Sequence, residues 1–110
     1  MREIKAIIRP DRLDDVVRGL RLVPDLPGLT VSVVHGFGRA HQGQVDDEAP
    51  SGRAEFAKLE IVVTVDLVKE VTEVIRRIAH TGRSSDGKIF VIPVESVTRI
   101  SSGEEGVEAI

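Results

Sequence analysis

Thr81-Gly82-Arg83-Ser84-Ser85-Asp86-Gly87-Lys88-Ile89-Phe90-Val91 joins the end of a helical pattern to an apolar strand through a loop holding two glycines and a lysine. Backbone N–H groups exposed on a tight turn, with a cation beside them, are what a polyphosphate needs. The Gly-x-x-x-x-Gly-Lys spacing is not a Walker A loop, in which a strand comes first and a helix follows. A second set, Gly36-Phe37-Gly38-Arg39, closes another strand and again puts a cation beside backbone that a ligand can approach closely. Taken singly, Gly36 and Gly38 can also mark a strand-end bulge, Lys88 a strand-edge charge and Arg99 a surface cation. Two glycine-plus-cation sets in one short chain point to a phosphate-bearing ligand.

Other chemistries find little support. The chain has no cysteine, so disulfides, thiol catalysis and a zinc ribbon are excluded. His35, His41 and His80 fall on different elements and lack the spacing of a metal site. His80, near a helix C-terminus, reads as a partner of the helix dipole. Asp46, Asp47 and Glu48 read as a solvated acidic run. No nucleophile–base pair has workable spacing, so the chain reads as a non-enzyme. A net charge of −3 and three Phe as the only aromatics argue against nucleic acid, which needs a basic face or stacking rings. The N-terminus carries no long apolar run, which predicts a cytoplasmic protein without signal peptide or membrane insertion.

The elements that must hold these loops follow from periodicity. Ile4, Ala6 and Ile8 alternate with Lys5, Ile7 and Arg9 as a strand; Pro10-Asp11 ends it, with Asp11 as the expected N-cap. Leu13, Val16, Val17 and Leu20 form a helical stripe, and Thr30 to Phe37 a β-branched strand. From Ala40 to Arg53 the pattern disappears, a loop long enough to expect a function of its own. Ala57, Leu59, Ile61, Val63 and Val65 alternate as a third strand. Asp66 is then expected to cap a helix with a stripe of Leu67, Val68, Val71, Val74, Ile75 and Ile78 and a Glu73–Arg77 pair. Gly82 suits its C-terminus. Lys88 to Val94 reads as a fourth strand, Val97 to Ile100 as an extended tail, and the polar end as loop. At 110 residues this is one domain, 1–110, in the order βαβ–loop–βαβ. That order predicts an α+β, ferredoxin-like βαββαβ sandwich with both helices on one face of an antiparallel sheet. By parity the other face carries Ile7, Phe56 and Val62 among Lys5, Lys58 and Glu60, a mixture that suits a subunit interface.

In its motifs the chain resembles the PII signalling family nearly end to end. The resemblance rests on Met-x-x-Ile-x-Ala-Ile-Ile-x-Pro and Leu13 to Val16, then Gly28-x-Thr30-Val31, Gly36-Phe37-Gly38-Arg39 and Glu60-Ile61-Val62-Val63. Thr81-Gly82 with Asp86-Gly87-Lys88-Ile89-Phe90-Val91, and Arg99-Ile100 with Gly103-Glu104-Glu105, complete it. It implies a homotrimer with ATP or ADP, and Mg2+ alongside ATP, in clefts between neighbours. It also implies a partner-contacting T-loop (39–54), a phosphate-binding B-loop (82–88) and a C-loop (99–106). The implied nucleotide-binding set is Ile7, Gly28, Thr30, Gly36, Phe37, Gly38, Arg39, Val62, Asp86, Gly87, Lys88 and Arg99. Within it, Gly38 and Arg39 would lie beside the phosphates, and Gly87 and Lys88 would supply an N–H and a cation. Arg99 would reach in from the neighbouring chain, and Thr30 and the Val62 backbone would recognise adenine.

Departures from the family pattern shape the functional expectation. The glutamine that helps hold Mg2+ and 2-oxoglutarate is Ala40, the lysine that pairs with the 2-oxoglutarate carboxylate falls at Phe56, and a second phosphate-contacting arginine is Ser101. The chain has no tyrosine to be uridylylated. Retained adenine nucleotide binding with weakened or lost 2-oxoglutarate sensing is the expectation, the regulated partner being a membrane transporter or metabolic enzyme. The alternatives are an orthodox 2-oxoglutarate-sensing PII, a sensor of another small anion such as bicarbonate, and an interaction trimer whose nucleotide site has decayed.

Overall fold

Strand alternation and helical stripes meet on one surface. In the computed structural model, which describes residues 1–38 and 53–110, β1 (Arg2–Ile8) and β3 (Arg53–Val63) turn the same side inward. Ile4, Ala6 and Ile8 come from β1, and Ala57, Leu59, Ile61 and Val63 from β3; all are buried. β1 lies between β3 and β4 (Gly87–Pro93), antiparallel to both, and β2 (Thr30–Phe37) pairs with the outer edge of β3. The resulting order, β2-β3-β1-β4, is the ferredoxin-like arrangement that the sequence predicts. α1 (Leu13–Leu20) adds Val16 and Leu20 to the core, and α2 (Val68–Ala79) adds Val71, Ile75 and Ala79. Burying each large aliphatic side chain contributes roughly 1.5–3 kcal/mol, so this single apolar layer holds the domain together. Gly19 lets the helices meet: a Cβ there would lie 2.3 Å from Ile78 Cδ1.

Several local expectations are corrected. Neither Asp11 nor Asp66 caps a helix, because each helix is entered through a 3-10 turn, Pro10–Arg12 or Val65–Leu67, with no side-chain cap. The turns' own backbone bonds, Arg12 N–H to Arg9 O and Leu67 N–H to Thr64 O, both 3.1 Å, use donors that a cap would take. Glu73 and Arg77 form none of the ion pairs found among the described residues. β3 starts at Arg53, so Arg53 and Ala54 are strand, while 39–52 lie outside the described residues. After β4 the chain folds back instead of extending. Thr98 bridges to Glu105, Arg99 N–H bonds Glu104 O at 2.8 Å, and a 3-10 turn, Gly106–Ala109, buries Ala109.

The second face of the sheet is open. Cross-strand register puts Glu3, Lys5, Ile7, Phe56, Lys58, Glu60, Val62, Thr30, Lys88, Phe90 and Ile92 on it. Lys5 stands opposite Glu60, with further ion pairs from Lys5 to Glu3 (3.7 Å) and Lys58 to Glu60 (3.4 Å). Phe90 and Ile92 remain 45% and 37% exposed beside these charges. Among the described residues no helix is long and apolar enough to cross a membrane.

Candidate functional site

The loop from Thr81 to Lys88 is organised by one carboxylate. Asp86 Oδ2 accepts the Thr81 N–H at 2.7 Å and the Gly82 N–H at 3.0 Å, while the Thr81 hydroxyl donates to Oδ1. Gly82 turns the chain here with φ +88°. The Thr81 hydroxyl bond, then its backbone bond, hold the Asp86 carboxyl below its ordinary value of 3.8, helped by Gly82 N–H and the nearby His80. His80 ends α2 and places Nδ1 3.6 Å from Asp86 Oδ2. Two N–H groups that sequence reasoning left open for a phosphate are therefore taken internally, and the Asp86 N–H bonds Arg83 O. Asp86 shapes the loop and points its charge into it. The signal was a threonine five residues before an aspartate, both able to bond backbone locally.

Gly87 follows with φ +107°, where a Cβ would sit 1.7 Å from Ile7 O. Only glycine allows β4 to start this close to the end of β1. Lys88 stands opposite Ile7 on the open face, exposed, with no ion-pair or hydrogen-bond partner among the described residues. Arg9, next to Ile7 and Ile8, donates from Nη1 to Ser85 Oγ at 3.1 Å and ties the loop to β1. Sequence reasoning missed that tie. A cleft of about 360 Å³ lies beside the loop, floored by Ile8, Ile75, Ala79 and Ile89 and rimmed by Arg76, His80, Asp86, Gly87 and Lys88.

A second hollow of about 280 Å³ lies on the open face, lined by Glu3, Pro27, Gly28, Thr30, Glu60, Val62 and Ile110. The structure thus brings together Gly28, Thr30 and Val62. Two carboxylates make this hollow unsuited to phosphate and suited to a group with N–H or O–H donors. Glu3 Oε1 is buried without a hydrogen-bond partner, its nearest cation being Lys5 at 3.7 Å. Arg99 belongs to this end: its Nη2 makes long contacts with the backbone oxygens of Glu108 (3.5 Å) and Ile110 (3.4 Å).

The remaining expected residues are not gathered with either group. Thr30 and Lys88 are three strands and two residues apart in register, about 16 Å. Gly36, Phe37 and Gly38 end β2 at the far edge, Gly36 being about 20 Å from Lys88 by the same count. Phe56 stands opposite Val34, and its ring covers Gly36 so closely that a Cβ there would lie 3.0 Å from it. Arg39 and His41 lie outside the described residues. Among the described residues no three His, Cys, Asp or Glu side chains gather as a metal site.

Known proteins resemble this chain in both architecture and sequence. The family model described as nitrogen regulatory protein P-II matches residues 1–104. The nitrogen regulatory protein P-II of Azospirillum brasilense is 43% identical over 113 positions, covering all of both chains. That of Microchaete diplosiphon is 44% identical over 114 positions, again with full coverage of both. The solved structure of Arabidopsis thaliana PII bound to citrate has a TM-score of 0.82 and 37% identity, covering 99% of this chain and 91% of that one. With both sequence and fold matched along nearly their whole length, this chain belongs to the nitrogen regulatory P-II family, whose members are signal-transduction proteins rather than enzymes.

Proposed function

We propose that this chain is a cytoplasmic homotrimeric regulator that binds ATP or ADP between subunits and controls a transporter or metabolic enzyme through residues 39–54. The observation that carries this reading is the division of the implied site. Lys88, Gly87 and Ile7 occupy one end of the open face; Gly28, Thr30, Val62 and, through Ile110, Arg99 occupy another. A nucleotide lying across one chain's own sheet would have to cross the Lys5–Glu60 pair. A cleft between two copies joins the ends instead, the phosphate end from one chain and the base end with Arg99 from its neighbour. The half-apolar, half-charged open face supports such an assembly.

The residues present fit the nucleotide. Lys88, without an ion-pair partner among the described residues, is a cation beside a glycine whose backbone can be approached closely, and the acidic hollow offers acceptors for the amine and hydroxyls of a nucleoside. Mg2+ would accompany ATP by binding its phosphates. A nucleotide that contacts the loop differently in its two states would shift the loop between them, and only that difference carries a signal.

Phe56 supports weakened or absent 2-oxoglutarate sensing. Its ring packs on Gly36 where the family's anion-pairing lysine falls, and an apolar ring gives a carboxylate no partner. The citrate held by the Arabidopsis relative favours a second reading, a sensor of another small organic anion. Calorimetry with ADP and ATP, each with and without Mg2+ and 2-oxoglutarate, tests both. The expected result is micromolar nucleotide binding without a 2-oxoglutarate effect; synergy between ATP and 2-oxoglutarate would contradict it.

A further inference from the structure

The last four residues are more than the end of a loop. The 3-10 turn Gly106–Ala109 folds them back, Ala109 is only 9% exposed, and Ile110 reaches the hollow that Gly28, Thr30 and Val62 also line. Arg99 holds this segment from outside, donating to the backbone oxygens of Glu108 and Ile110. Ile110 and Val62 are thus apolar walls of a hollow whose other lining includes two carboxylates. A flat, weakly polar ring fits between such walls, with its edge donors towards the acids.

We infer that residues 107–110 form a wall of the base-binding half of the nucleotide site, with Ile110 as a contact residue for the base. The inference rests on the adenine-nucleotide reading above and adds to it a binding residue outside the glycine-plus-cation loops. Because Ile110 lines the base end and not the phosphate end, loss of its side chain weakens recognition of a whole nucleotide but not of its phosphates alone. Arg99 gives the wall a second property. The same guanidinium that would serve a phosphate also staples the wall, and its contacts of 3.4–3.5 Å to backbone oxygens are long enough to exchange for an anion.

The test measures ADP binding by calorimetry, and pyrophosphate by competition against labelled ADP, for the full chain and for Ile110→Ala, Ile110→Val and Lys88→Ala. Melting curves check that each variant is folded, and Ile110→Val stands in should the alanine variant not fold. Expected are a roughly three- to tenfold loss of ADP affinity in Ile110→Ala, most of it restored in Ile110→Val, and unchanged pyrophosphate competition. Lys88→Ala weakens both ligands. Unchanged ADP affinity in a folded Ile110→Ala, or equal losses for ADP and pyrophosphate, would overturn the wall while leaving the nucleotide site standing. Absence of ADP binding by the unaltered chain would remove the nucleotide reading and the wall with it.

Discussion

The Gly87 end of the sheet and the Gly28 end present different kinds of surface. At Gly87 the backbone itself is locked: Asp86 fills its loop's donors, Arg9 ties Ser85 to β1, and Ile7 O leaves no room for a Cβ. At Gly28 the hollow is open, Gly28 has free space where a Cβ would go, and side chains from three strands and the tail make its walls. A locked backbone suits a small, symmetric, strongly charged group that is read by position. Side-chain walls suit a larger ring that is read by shape and edge. A change to the backbone at Gly87 should therefore act through folding, whereas changes to exposed side chains at either end, Lys88 or Thr30, should act through ligand contact.

The sharpest way to break this comparison is Gly87→Ala. The clash with Ile7 O and the positive φ should cost on the order of 3 kcal/mol or more, read as a lower denaturation midpoint; a neutral change would mean the backbone is not locked. Thr30→Trp comes next. Thr30 is exposed, so the fold should stand while the ring fills the hollow and ADP affinity falls more than tenfold in calorimetry. Lys88→Ala should lose roughly tenfold with melting unchanged, the loss of one charge-assisted contact. Acid is a milder probe. The Asp86 pKa is depressed in the fold, so its contribution is fully present above the unfolded value near 3.8 and is lost as pH falls through the folded value. Hydrogen exchange at the Thr81 and Gly82 amides should therefore speed up only once pH has fallen below 3.8, and in Asp86→Ala at every pH. Protection that persists in Asp86→Ala would refute the carboxylate's role. Ser85→Ala should change stability by less than about 0.5 kcal/mol, since its bond to Arg9 is exposed.

What the sequence made legible was whatever repeats with a period. β2 runs from Thr30 to Phe37 as β-branching predicts, and the buried side chains of β1, β3, α1 and α2, Ala79 apart, are those of the expected stripes. The helix starts were misread because Asp11 and Asp66 look like caps, whereas a three-residue 3-10 turn leaves no periodic trace. The tail was misread for the same reason: four residues with two glycines nearby carry no pattern, although Ala109 and Ile110 are apolar. Of the site, residue types were readable and their grouping was not. Nothing in the chain order places Arg99 with Thr30 rather than with Lys88; that follows from the fold-back at Gly103 and the turn at Gly106.

Subunit mixing tests the central claim, that one chain's phosphate end meets its neighbour's base end, most directly. Lys88→Ala and Thr30→Trp chains, each unable to bind ADP tightly alone, would be unfolded together, refolded and titrated with ADP. Random assembly should restore full affinity at about a quarter of the sites, those pairing an intact Lys88 with an intact Thr30. If the mixture of folded, assembled chains binds no better than its components, the two ends do not share a site across subunits, and the account fails.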